Sequence, residues 1–222
     1  MKHVKPLQIA IDGPSCAGKS TYAKALAQRL GLLYLDTGAM YRALAYKALA
    51  SGYDPSDAGV AALLPDTVMD VQHVDGIQRV LLDGVDVTER LRTLEISTGA
   101  SQISAHAEVR AWTVALQQDI ARRIDVVMDG RDIGTVVLPD APYKFFVTAS
   151  VDERAKRRLI ELQANGQAVT FEQVRANIAE RDQRDTERVN SPLKQANDAI
   201  LIDTTSLSID GVLDAIMAHI NV

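Results

Sequence analysis

The sequence predicts an α/β fold in three layers, a central parallel sheet with helices on both faces. Three observations carry this. Five short apolar runs, at 7–11, 32–35, 124–128, 143–148 and 199–202, are separated by stretches with helical periodicity. Strands that read as continuous apolar runs are buried on both faces, as the strands of a parallel sheet are. The first run leads through Gly13-x4-Gly18-Lys19-Ser20 into a helical stretch, the strand–loop–helix order of a P-loop. Between residues 67 and 88 the period changes to that of short strands joined by Asp75-Gly76 and Asp83-Gly84, which reads as a small antiparallel insertion.

Taken in order, the run 7–11 is the first strand and residues 19–30 the first helix, with Gly31 well placed as its left-handed stop. Residues 32–35 form a second strand ending at Asp36, and Thr37-Gly38 opens a helix over about 39–50. A break follows at 51–55, then strands at about 67–74, 77–82 and 85–88. Such an insertion commonly builds a substrate pocket, and a mere decoration is the plain alternative. Helices are expected at about 93–104 and 107–123. The parallel pattern resumes with 124–128, followed by Asp129-Gly130-Arg131-Asp132, and with 143–148. Ser150-x-x-Glu153 and Thr170-x-x-Gln173 are capping-box signatures for two helices, the first ended by Asn165-Gly166 and the second running toward Arg188. The last strand, 199–202, leads through Ser208 into a helix over about 209–219.

Composition narrows the function classes. With 222 residues, 47% hydrophobic, the chain can bury a full core in one or two domains. A net charge of −5 argues against bulk nucleic-acid binding. There is no apolar run long enough to span a membrane, and residues 1–6 lack the apolar core of a signal peptide. Cys16 is the only cysteine. A cytoplasmic protein with no membrane or nucleic-acid partner is therefore expected. The four histidines are scattered and show no metal-ligand spacing.

The loop Gly13-Pro14-Ser15-Cys16-Ala17-Gly18-Lys19-Ser20-Thr21 is expected to bind the triphosphate of a nucleotide. Its glycines let the backbone close on a ligand and aim N–H groups at phosphate oxygens. The helix N-terminus adds unpaired N–H groups and a positive dipole end. Lys19 supplies charge for the outer phosphates, and the Ser20 hydroxyl can ligate Mg²⁺. Residues just beyond the strand ends should face one crevice. Asp129 sits at such an end and is placed to help hold Mg²⁺ through water, a turn carboxylate being the alternative. Arg131 can match a phosphate as a fork, and Asp132 can accept from an exocyclic amino group. Arg42 lies one turn into its helix and could reach across the crevice, with Ser101 and Arg110 on the helices after the insertion. Arg181, Arg184 and Arg188 are spaced by three and four, with Asp185 among them. Interleaved acids also allow a simple solvated face there. Cys16 reads either as a small residue that fits the loop or as a thiol activated by the helix end and Lys19.

Four segments together, Gly13-Pro14-Ser15-x-Ala17-Gly18-Lys19-Ser20-Thr21, Asp36-Thr37-Gly38-Ala39-Met40-Tyr41-Arg42, Asp129-Gly130-Arg131-Asp132-Ile133-Gly134-Thr135 and Arg181-Asp182-Gln183-Arg184-Asp185, strongly resemble the bacterial cytidylate kinases, P-loop nucleoside monophosphate kinases. The resemblance extends over essentially the whole chain. It implies a core of residues 1–37, 90–150 and 190–222, a β-rich monophosphate-binding insertion over about 38–100, and a helical lid over about 151–189. It implies ATP as phosphoryl donor with Mg²⁺, CMP or dCMP as acceptor, a monomer, and a place in pyrimidine nucleotide metabolism. Thr37, Ser101, Arg110 and Asp132 would read the cytosine ring, while Arg42, Arg131 and Arg188 would hold the CMP phosphate. Arg181 and Asp185 would contact the ribose, and Arg157 or Arg158 would lie near the triphosphate. Lys19, Arg131, Arg188 and Asp129 would carry the transfer. Two positions depart from the family's habit: Thr37, commonly serine, keeps the hydroxyl, and Cys16 is commonly glycine. Rival readings are UMP or another monophosphate as acceptor, a P-loop ATPase, and a nucleotide sensor. The second lacks a guanine-reading motif, and the third is opposed by the intact Lys19 and arginine set.

Overall fold

The computed structural model describes residues 6–74, 76–164 and 166–221. The turn residues Asp75 and Asn165 and the N-terminal segment 1–5 lie outside the described residues. The parallel sheet is built from β1 (Gln8–Asp12), β2 (Leu33–Asp36), β6 (Val126–Gly130), β7 (Tyr143–Thr148) and β8 (Ile200–Asp203), in the order β2-β6-β1-β7-β8. Every neighbouring pair is parallel, with Asp12 beside Gly130 and Asp36 beside Asp129. The strand ends that carry polar residues are thereby brought to one rim of the sheet.

Side-chain alternation sorts the sheet between two cores. Ile9, Ile11, Val127, Phe145 and Val147 pack against α1 (Lys19–Leu30) and α7 (Ile209–Met217). Ala10, Leu35, Val126 and Met128 face the other way, onto α2 (Thr37–Ala50) and α4 (Ala107–Ala121). The antiparallel sheet β3 (Met69–Val74), β4 (Ile77–Leu82) and β5 (Val85–Asp86) delivers Met69, Val80 and Leu82 into that same second core. The insertion is thus continuous with the core through apolar packing. The helices α5 (Val151–Ala164) and α6 (Phe171–Glu187) bury Ala155, Leu162, Val174 and Ile178 in a small cluster of their own.

Some details differ from the sequence expectation. The 3-10 helices Ala58–Asp66 and Thr88–Leu91 and the π-helical turn Ile133–Val137 were not expected, because their periodicity is too short to register. The α2 helix starts at Thr37, two residues early, because the Asp36 side chain caps it by accepting from Ala39 N–H at 3.0 Å. The capping box at Thr170 forms in full. The one at Ser150 forms by half: Ser150 Oγ accepts from Glu153 N–H at 3.2 Å, but Ser150 N–H donates to Thr205 Oγ1. The Glu153 carboxylate is drawn instead to Arg157 at 3.1 Å. The α6 helix ends at Glu187, so Arg188 is its extended C-cap rather than part of the face with Arg181 and Arg184. Helix α3 (Leu94–Ile103) packs on α2, and no helix among the described residues is long and apolar enough to cross a membrane.

Candidate active site

The rim of the sheet opens into a cleft of about 980 Å³. Its floor is the loop between β1 and α1. Gly13 has φ 148°, and a Cβ there would meet Val147 O at 1.9 Å, so the loop can turn only at a glycine. Gly18 caps α1 without a side-chain hydrogen bond, which leaves the helix's first N–H groups free for an anion. Lys19 is 5% exposed and donates to the loop's own Pro14 O at 2.6 Å. Burial, with the Arg131 guanidinium second, pulls the Lys19 ammonium down from its ordinary 10.5 to about 7. A site that strains a lysine charge in this way is built to receive negative charge.

Asp129 lies opposite, 4% exposed, at the end of β6. Its carboxylate accepts from Ser20 Oγ at 2.7 Å and from Tyr34 Oη at 3.0 Å. Burial, followed by the neighbouring Asp36 carboxylate, pushes it up to about 6. Burial and Asp129 also raise Tyr34, so the phenol keeps its proton and donates. Because Ser20 gives its proton to Asp129, its oxygen lone pairs are left for a cation. A hydroxyl backed by a carboxylate fits Mg²⁺, which keeps several waters and takes few protein ligands. Among the described residues no cluster of three or more His, Cys, Asp or Glu offers an all-protein metal cage.

The loop after β6 is tied to the P-loop by Asp12, whose carboxylate accepts from Ile133 N–H at 2.8 Å and Gly134 N–H at 2.7 Å. Burial raises Asp12 to about 6 against those two bonds. Gly130 is required by close approach: a Cβ would stand 2.9 Å from Thr37 Oγ1, the hydroxyl that donates to Asp129 O at 2.7 Å. Beyond it, Asp132 is bonded to Arg110, and Arg188 Nη2 stands 3.9 Å from the same carboxylate. The Arg110 guanidinium also lies over the Tyr41 ring at 5.6 Å. Arg131 Nε donates to Asp185 at 2.8 Å. Burial disfavours both charges of this pair, but each partner outweighs it, so Arg131 is raised and Asp185 is held below the carboxylate range. Arg181 is lowered to about 10 by burial and by Arg131.

The cleft gathers nearly all the residues singled out from the sequence. Ser15, Cys16, Gly18, Lys19, Ser20 and Thr21 line its P-loop side together with Arg157 and Arg158. Thr37, Arg42, Ser101, Arg110, Asp129, Arg131, Asp132, Arg181, Asp185 and Arg188 line the rest. Gly13, Pro14 and Ala17 do not reach it and shape the loop from behind. Arg157 donates to Ala17 O of the loop at 3.4 Å and to Thr204 O, just past β8, at 2.8 Å, whereas Arg158 pairs with Glu161 at 2.8 Å. Arg42 is paired with Asp36 at 2.7 Å. Tyr41 Oη, Arg110 Nε, Arg181 Nε and Arg188 Nη2 are buried with no hydrogen-bond partner. Orphaned donors are costly, and their gathering here fits a ligand rich in acceptors.

Tyr34, Tyr41, Arg154 and the paired role of Asp12 were not assigned from the sequence. Arg154 joins α5 to the loop by donating to Ser15 O at 3.1 Å, and to α6 by pairing with Asp182 at 2.6 Å. For Asp12 a signal existed, a carboxylate at the end of an apolar strand. For Tyr34 none did, since its partner is 95 residues away.

Comparison with known proteins agrees with this geometry. The family model described as cytidylate kinase matches residues 9–222. A cytidylate kinase of Bacillus pumilus is 51% identical over 96% of this chain and 95% of its own length. One of Caldicellulosiruptor bescii is 49% identical over the same shares. Among solved structures, shikimate kinase from Bacteroides thetaiotaomicron superposes with a TM-score of 0.50 at 14% identity, covering 96% of this chain and 97% of that one. An uncharacterized protein from Eubacterium ventriosum reaches 0.54 at 14% identity over 96% and 97%. Those two likenesses concern the fold alone. With a full-length family match and relatives at half identity, the chain belongs to the cytidylate kinase family.

Proposed function

We propose that this chain transfers the γ-phosphoryl group of ATP to the 5′-phosphate of CMP or dCMP, giving ADP and CDP or dCDP. The observation that carries this is the pocket around Asp132, where a buried carboxylate is flanked by Arg110 and Arg188 with unused donors. Cytosine presents an exocyclic amino donor beside ring acceptors, and that pattern matches a carboxylate beside guanidinium groups. Uracil would turn a carbonyl oxygen toward the carboxylate and leave it unpaired, so the same pocket selects against UMP.

The acceptor phosphate is already an oxyanion, so no general base is needed. One of its oxygens attacks the γ-phosphorus while the bond to the β,γ-bridging oxygen breaks, and ADP departs with that electron pair. The chain contributes position and charge. Lys19 and the free N–H groups of α1 hold the donor phosphates, with Arg157 and Arg158 at that side. Arg42, Arg131 and Arg188 hold the acceptor phosphate, while Thr37, Ser101, Arg110 and Asp132 read the base. Arg181 and Asp185 face the ribose between the two halves. Ser20, with Asp129 behind it through water, would hold Mg²⁺, which when bound offsets charge on the donor phosphates.

A coupled ADP-release assay across CMP, dCMP, UMP, AMP and GMP tests the reading. Turnover should be highest with CMP and dCMP and negligible without an acceptor. Faster turnover with another monophosphate, or ADP release with none, would overturn it.

A further inference from the structure

The β2 strand lies at the edge of the parallel sheet, so one side of its backbone has no neighbouring strand. The groups on that side belong to Tyr34 and Asp36, two residues apart as the pleat requires. They are covered by two side chains of the insertion. His73 Nε2 lies 2.7 Å from Tyr34 O, and since a carbonyl can only accept, this nitrogen carries the proton. The Gln78 amide takes both ends of the next residue: Oε1 accepts from Asp36 N–H at 2.7 Å, and Nε2 donates to Asp36 O at 3.2 Å. His73 and Gln78 face each other directly across β3 and β4. Together they imitate a short piece of neighbouring strand. A glutamine suits the task because its amide offers one acceptor and one donor, as a peptide group does.

What this clamp holds is the point at which the core hands the chain to the acceptor half of the cleft. The Asp36 side chain is also fully engaged, capping α2 through Ala39 N–H at 3.0 Å and pairing with Arg42 at 2.7 Å. Thr37 follows at once, and Tyr34 sends its phenol to Asp129. Neither His73 nor Gln78 lines the cleft. They can act on it only through the residues they hold, Gln78 through Asp36 and its neighbours Thr37 and Arg42, His73 through Tyr34.

We propose that Gln78, supported by His73, is a positioning residue for the acceptor: it fixes the register of Asp36 and Thr37 so that the Thr37 hydroxyl and the Arg42 guanidinium meet CMP. The inference rests on the assignment of the Thr37–Arg42 side to the acceptor. Gln78 makes no bond toward the P-loop, and His73 reaches it only at second hand, through Tyr34 and Asp129.

The test is steady-state kinetics of Gln78→Ala, Gln78→Glu and His73→Ala, with direct titration of ATP in the absence of CMP and a thermal melt of each variant. Gln78→Ala should raise KM for CMP about tenfold, lower kcat less than about threefold, and leave the ATP Kd unchanged. Gln78→Glu keeps the size but replaces the donor with a carboxylate oxygen against Asp36 O, so it should behave like Gln78→Ala. His73→Ala should raise KM for CMP about threefold. Because Gln78 acts through Arg42 and its neighbours, adding Gln78→Ala to Arg42→Ala should cost no more than about twofold beyond Arg42→Ala alone. An unchanged KM for CMP in both Gln78 variants would overturn the proposal. So would a parallel rise in KM for CMP and Kd for ATP with a lowered melting temperature, since that is the mark of a purely structural residue. If Gln78→Ala does not fold, the isosteric Gln78→Glu decides alone. Failure of the unsubstituted chain to phosphorylate CMP would instead remove the acceptor assignment itself, a distinct result.

Discussion

The segment 38–100 and the helices α5 and α6 both frame the cleft, but they are attached to the core by different forces. The insertion sends Met69, Val80 and Leu82 into the cluster that holds Ala10, Leu35 and Met128 of the parallel sheet. Helices α5 and α6 keep a separate apolar cluster. They reach the rest of the chain largely through polar links: Arg154 to Ser15 O, Asp185 to Arg131, Arg184 to Ser101, Arg157 to Ala17 O. Apolar packing is lost only when the fold opens, because contact area must be exposed to water. Charged links can break and reform singly, with water replacing the partner. The segment 38–100 is therefore built into the core, and α5 and α6 are pinned to the cleft by polar links that include its own Arg131 and Arg157.

The largest effect should come from the pin that serves both roles. Asp185→Ala frees Arg131 and leaves two guanidinium groups unbalanced beside Lys19. We expect kcat to fall by roughly 10²–10³-fold, read in the coupled assay, with ATP affinity little changed. Next come matched deletions in the two cores. Leu82→Ala should lower global stability by about 2–5 kcal/mol in denaturant unfolding, because its cavity opens in the shared core. Ile178→Ala should leave that transition nearly in place and instead speed hydrogen exchange in α5 and α6, since its cluster is local to them. If the two variants lower global stability equally, the lid is no separate unit.

These expectations also show where the sequence was informative. The loop, Lys19 and Ser20 were legible because their chemistry is local, motif and spacing sitting within a few residues, whereas the strands expected at 7–11, 32–35, 124–128 and 199–202 each end one or two residues later, taking in the polar residue that follows the apolar run. The strands 77–82 and 143–148 were placed to the residue, by turn signals and prolines at their borders. Partner choice was not legible. Nothing in the order of residues says that Arg131 takes Asp185 while Arg154 takes Asp182, or that Gln78 covers Asp36. Such pairings depend on how separate segments dock. The half-formed capping box at Ser150 is a small instance, since Thr205, distant in sequence, takes the N–H that the motif reserves for Glu153.

A smaller effect concerns pH. Burial alone would raise Asp185, but Arg131 and Arg181 hold it below its ordinary 3.8. A carboxyl depressed in the folded state adds stability that is complete above its unfolded value and is lost as the pH falls through the folded one. Asp185→Asn should therefore be less stable than the parent chain near pH 6, and the gap should narrow as the pH falls below 3.8, as followed by thermal melts. The smallest effect should be that of salt. Raising ionic strength from about 0.05 to 0.5 M should screen the partly exposed guanidinium groups of Arg157 and Arg158 from a bound triphosphate and raise KM for ATP about twofold, with KM for CMP moving less.

Hydrogen exchange of the free chain, resolved by segment and repeated at low and high salt, tests the contrast most directly. Amides of α5 and α6 should exchange through a local opening that salt promotes, while those of α2 and β4 exchange only with global unfolding. Equal protection of the two regions, insensitive to salt, would contradict it.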